Sequence, residues 1–124
     1  MNPTTGYVIF AHGSSVESAN EAVRRLSAAF AQHQNSSFVQ AAFLEIGQPP
    51  LAVAVSNLAG LGVTRILVLP YFLTLGLHLQ RDLPKLVTEA AAQHPAIEII
   101  TAPPLDGHPG LIDVLAARAA EFQN

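Results

Sequence analysis

No cysteine occurs among the 124 residues, which excludes disulfides and thiolate metal ligation. A metal site in this chain must therefore draw on His, Asp, Glu, backbone oxygen or water. Charge is scarce too, with 12% of residues charged against 50% apolar, which argues against disorder. Six Lys and Arg stand against nine Asp and Glu, a formal net charge of -3, so the broad basic face of a nucleic-acid-binding protein is missing. No apolar run reaches the roughly 20 residues of a membrane span. No basic segment followed by an apolar stretch opens the chain as a signal peptide would. These absences point to one cytoplasmic domain over residues 1–124, with no nucleic-acid or membrane partner.

What is present is alternation. Apolar runs at Tyr7–Ala11, Phe38–Leu44, Arg65–Leu73 and Ile97–Ala102 read as strands. Helical spacing follows each of them. A first helix from near Ser15 carries Ala19, Ala22, Val23, Leu26, Ala29, Phe30 and His33 on one face, with Ser14 or Ser15 as N-cap. Pro49-Pro50 opens a second, with Leu51, Val55, Leu58 and Ala59 inward, closed by Gly60 and Gly62. A third begins near His78 to Gln80, with Leu83, Leu86, Val87 and Ala90 on one side. Pro84 belongs in a first turn, which favours a start near Arg81, and His94-Pro95 ends it. A fourth runs from Pro109 to Phe122 after a loop at Pro103–Gly107. The pattern βαβαβαβα predicts an α/β fold, a four-stranded parallel sheet with flanking helices and right-handed crossovers. The third strand, rich in Ile, Leu and Val, reads as covered on both faces. Leu73, Leu75, Leu77 and Leu79 alternate with Thr74, Gly76 and His78. That segment reads either as a continuing strand or as an extended apolar wall presenting His78.

Three chemistry-bearing residues fall where strands end. His12 follows the first strand, Glu45 the second, and His78 the third. Ligands of open parallel sheets bind at the carboxyl edge. With a flavodoxin-like order 2-1-3-4, the three emerge from neighbouring strands about 4.8 Å apart. Two imidazoles and a carboxylate suit a borderline divalent metal, and they equally suit proton transfer near neutrality. His33 and His94 end helices and His108 begins one, so each has a local role at a helix terminus. Arg81, Asp82 and Lys85 read as a solvated face or as a small cationic patch.

These residues carry a resemblance. His12-Gly13-Ser14, Phe43-Leu44-Glu45 with Pro49, Leu69-Pro70-Tyr71-Phe72-Leu73 and Gly76-x-His78-x-x-x-Asp82-Leu83-Pro84 resemble the small CbiX-type class II chelatases, as do Pro104-Leu105 and His108-Pro109. The resemblance implies the flavodoxin-like half of a class II chelatase. It implies insertion of a divalent metal, Co²⁺ or Fe²⁺ with Ni²⁺ in a related branch, into sirohydrochlorin or a related tetrapyrrole. No ATP or other nucleotide is used, and the products lead towards cobalamin or sirohaem. The metal is a substrate, held by His12 and His78 with Glu45 as the acidic partner. Ser14, Leu75, Gly76 and Arg81 are the candidate tetrapyrrole contacts, and a homodimer is expected to build the cleft. Ser15 stands where many members carry a basic residue, which leaves Arg24, Arg81 and Lys85 as candidates for substrate carboxylates. A non-catalytic metal or tetrapyrrole carrier on the same fold is the alternative.

Overall fold

A computed structural model describes residues 3–123. Four strands, β1 (Thr5–Ala11), β2 (Val39–Phe43), β3 (Arg65–Pro70) and β4 (Glu98–Thr101), form one sheet in the order β2-β1-β3-β4. All three pairings are parallel. The expected order and strand direction are therefore present, with β1 and β3 in the middle.

Four helices complete the alternation: α1 (Glu17–Gln34), α2 (Leu51–Gly60), α3 (Leu77–Gln93) and α4 (Gly110–Ala120). The strand period of two separates the sheet's faces. Val8, Phe10, Ala42, Ile66 and Val68 point to one face, where Leu51, Ala54, Val55 and Leu58 of α2 and Leu79, Leu83 and Ala90 of α3 close a continuous core. Ala11, Ala41 and Phe43 point to the other, against Val23 of α1, and Tyr7 meets Phe30 edge to face at 5.3 Å. Among the described residues no helix is long and apolar enough to cross a membrane.

Several local expectations fail for identifiable reasons. β3 stops at Pro70, because a proline has no N–H to continue a ladder, and residues 71–76 form a loop. Neither the continuing strand nor the extended leucine wall exists. Leu79 is buried and Leu75 is half-buried, whereas Leu73 and Leu77 are exposed. α3 begins at Leu77, so Pro84 lies inside it rather than in its first turn. An interior proline costs about 3 kcal/mol; burial of Leu79 and Leu83 before it and Ala90 after it offsets that. α1 is also rotated from its expected face. Asn20 and Ser27 are its buried residues, while Ala19, Ala22, Leu26, Ala29 and His33 are exposed. Val16 occupies the cap position, and no side chain caps the helix. Finally, β3 is covered on one face only: Ile66 and Val68 are buried, Leu67 and Leu69 half-buried.

Candidate functional site

The carboxyl edge of the sheet is organised by two loops in close contact. His12 to Ser14 leave β1, and Leu44 to Gln48 leave β2. The ladder continues past both strands, with Leu44 N–H donating to Ala11 O at 2.9 Å and Glu45 N–H to His12 O at 3.1 Å. This parallel extension brings Glu45 beside His12. Gly13 makes the approach possible. Its φ is +93°, and a Cβ there would lie 1.9 Å from the carbonyl oxygen of Glu45. Only a residue without Cβ fits that conformation and that distance. Gly47 N–H closes a tight turn onto the same Glu45 oxygen at 2.7 Å, with Ile46 between them at φ 65°.

Two residues of α1 brace these loops, and sequence reasoning overlooked the first of them. Asn20 is 2% exposed. Its Oδ1 accepts the Ser14 N–H and its Nδ2 donates to Ser14 O, both at 2.8 Å, so one amide satisfies both backbone groups of Ser14. The available signal was an amide side chain at the start of the helix, six positions after Ser14. The second is Arg24. Its guanidinium donates to Glu17, Glu21 and the carbonyl of Gln48, and it stacks over the Phe43 ring at 5.4 Å from the centroid. Hydrogen bonds from Arg24 and Asn20 hold the Glu17 carboxyl below its ordinary value, and Glu17 and Glu21 raise Arg24. Arg24 is thereby committed to the β2 loop rather than free for a substrate carboxylate.

The His12 imidazole is set by its own neighbour. Nδ1 lies 3.1 Å from Gly13 O. A carbonyl only accepts, so this bond places the proton on Nδ1 and leaves the Nε2 lone pair outward. Nε2 lies 3.4 Å from Glu45 Oε1. A lone pair facing a carboxylate is favourable only when a proton or a cation lies between them. The side chains are 53% and 60% exposed, so the pair is open to solvent.

His78, the second residue of α3, lines the same cavity of about 340 Å³, together with Leu44, Gly76, Leu79 and Asp82. The three predicted edge residues thus share one pocket. They do not form a closed ligand set: among the described residues no three His, Asp or Glu side chains converge on one point. Asp82, read from sequence as part of a solvated helix, is an additional member of the pocket wall.

The other candidates divide. Gly76 borders the pocket. Ser14 does not: its backbone is held by Asn20, and its Oγ accepts the Val16 N–H at 3.0 Å. Leu75 packs against the core beside α3 and lines a separate groove with Leu83 and Pro84. Arg81 is exposed and outside the pocket wall. His108 accepts the Gly110 N–H at 2.9 Å, the helix-start role expected of it, and His94 meets Ser56 Oγ at 3.1 Å where α3 ends.

A family model described as CbiX matches residues 6–122. The sirohydrochlorin cobaltochelatase of Methanosarcina acetivorans is 33% identical over 88 residues, 71% of this chain and 68% of that protein. The chloroplastic sirohydrochlorin ferrochelatase of Arabidopsis thaliana is 30% identical over 113 residues, 91% of this chain but 50% of that longer protein. Among solved structures, a putative cobalamin biosynthesis CbiX protein from Marinobacter aquaeolei superimposes with a TM-score of 0.82 at 27% identity, covering 94% of this chain and 95% of that one.

Proposed function

The chain belongs to the CbiX family, and we propose that it is a chelatase inserting a divalent metal into sirohydrochlorin. Relatives of similar identity carry names for both the cobalt and the iron reaction. Co²⁺ and Fe²⁺ are both substrates in this reading, and the imidazole–carboxylate donor set accepts either. The observation that carries the reading is the approach of His12 Nε2 to Glu45 Oε1 at 3.4 Å, in a pocket that His78 also lines.

Insertion exchanges two pyrrole N–H protons for one M²⁺, so the site must hold a cation and accept protons. The outward Nε2 of His12 supplies a metal ligand or a base. Glu45 supplies a carboxylate beside it, exposed enough to pass a proton on to water. His78, across the pocket, offers a second imidazole. The open donor set suits a metal that must be released to the macrocycle, because a closed tetrahedral cage would retain it. Leu44 and Leu79 give the pocket an apolar wall for a flat ring. No nucleotide enters this scheme; the macrocycle's four nitrogens replace the metal's looser ligands and supply the driving force.

The test is the absorbance change of sirohydrochlorin with Co²⁺ or anaerobic Fe²⁺, with and without protein. Acceleration over the metal-only reaction, with many turnovers per chain, supports the enzyme. Stoichiometric binding without turnover establishes the carrier instead. The absence of both overturns the reading.

A further inference from the structure

The His12 pocket does not end at Asp82. A second cavity of about 290 Å³ shares Leu44 and Asp82 with it and continues past Lys85, Leu86 and Glu89. The two form one trough along α3. His78, Asp82, Lys85 and Glu89 follow one another at spacings of four, three and four residues, which places them on one stripe of that helix. This stripe is the polar wall of the trough, and Leu44 and Leu86 supply apolar surface beside it.

The charges in the trough decide what it accepts. Glu45, Asp82 and Glu89 repel a carboxylated macrocycle, which therefore needs a cation to enter. The chain has six Lys and Arg. Arg24 is engaged by Glu17, Glu21 and the Gln48 carbonyl. Arg25 belongs to α1, on the opposite face of the sheet from α3. Arg65 begins β3, at the edge of the sheet remote from the pocket, and faces Glu98. Arg118 pairs with Glu121. Arg81 lies on α3 but outside both cavity walls. Lys85 is the cation that remains.

The Lys85 ammonium is uncommitted. Asp82 and Glu89 flank it along the helix, yet among the described residues neither makes an ion pair with it. Lysine four residues before glutamate is the weaker order for a helical pair. Lys85 also stands at a useful remove from the metal pocket. Seven residues from His78 correspond to about 10 Å along the helix. The distance from the centre of a tetrapyrrole to the carboxylates on its rim is of that order.

We propose that Lys85 receives one rim carboxylate of the macrocycle and so selects which edge of the ring enters the trough. This rests on the reading of the chain as acting on sirohydrochlorin. With a carboxylate at Lys85 and the ring against Leu44, the ring's centre lies towards His12 and His78. Asp82 and Glu89, on either side of Lys85, exclude a second carboxylate from the same wall. The remaining carboxylates face water.

The test is a titration of sirohydrochlorin with the full chain in the absence of metal, followed by absorbance, and then the insertion assay with Co²⁺. Lys85 is exposed, so its variants should fold. Lys85→Met should weaken macrocycle binding about 3- to 10-fold, and Lys85→Glu should weaken it further. Lys85→Arg should restore it to within about 3-fold, and Arg81→Met should change it less than about 2-fold. Glu89→Gln should tighten it, because a like charge leaves the wall. In the insertion assay the loss should appear in KM for sirohydrochlorin, with KM for Co²⁺ moving little. Equal binding by native and Lys85→Met chains, or an equal loss in Arg81→Met, would overturn the role of Lys85 while native turnover kept the chelatase reading intact. Native binding without turnover would instead overturn the chelatase reading, and the ratio of binding constants would still judge Lys85. A native chain that does not bind the macrocycle would overturn both.

Discussion

Gly13 and the carbonyl of Glu45 are pressed together so closely that a single methyl group at residue 13 would overlap the oxygen, at 1.9 Å. This contact sets the spacing of the two loops and with it the 3.4 Å separation of His12 Nε2 from Glu45 Oε1. The approach of His12 to Glu45 depends on a residue with no side chain.

Gly13→Ala should therefore be costly in two ways. A left-handed φ costs a non-glycine residue about 1–2 kcal/mol, and forcing the loops apart adds about 1–3 kcal/mol. Chemical denaturation should show a loss of about 2–5 kcal/mol, and metal insertion should fall with the separation of His12 from Glu45. A variant of native stability would show that the loops slide apart freely.

His12→Ala and His78→Ala should each remove the protein's acceleration of metal insertion. Glu45→Gln, which keeps the shape and removes the charge, should slow insertion by about 10²-fold or more. All three side chains are exposed, so urea midpoints should barely move. Full activity in Glu45→Gln would restrict proton acceptance to the imidazoles.

Asn20→Ala should destabilise the chain by about 1–3 kcal/mol, because it strips two partners from the half-buried Ser14 backbone. Asn20→Asp is the sharper probe. It keeps an acceptor for Ser14 N–H, removes the donor to Ser14 O, and places a carboxylate 3.1 Å from Glu17 Oε2. It should be worse than native at neutral pH and recover partly in acid. Hydrogen exchange at Ser14 reads the loss of the clamp directly.

The Arg24 brace should loosen in acid. Glu17 titrates below its ordinary value of 4.5 in the folded chain, so its contribution is fully present above 4.5 and is lost as pH falls through the lowered folded value. Carbon-detected titration should place Glu17 below 4.5. Arg24→Met should return it towards 4.5, and an unshifted Glu17 in the native chain would contradict the brace.

Much of this was legible in the residues. Apolar runs of strand length alternating with helical spacing determined the parallel α/β architecture, since a strand–helix–strand unit has one favoured handedness. The placement of His12 and Glu45 just after β1 and β2, and of His78 at the start of the helix that follows β3, brought them to one edge, because parallel strands end on the same side. The remaining features depend on contacts between segments distant in sequence. Period alone did not reveal that Asn20 rather than Ala19 or Ala22 faces inward, since that rotation follows from hydrogen bonds to the Ser14 backbone. Nor did the leucines at 73, 75, 77 and 79 show that a loop and a helix start divide them, because alternation has meaning only while the chain stays extended. The fourth helix was evident from its spacing. That it has no buried residue was not, because burial depends on what the rest of the fold places beside it. Local sequence determines which element forms, because period and propensity are local; where that element packs is a property of the whole chain, because it depends on which distant surface is within reach.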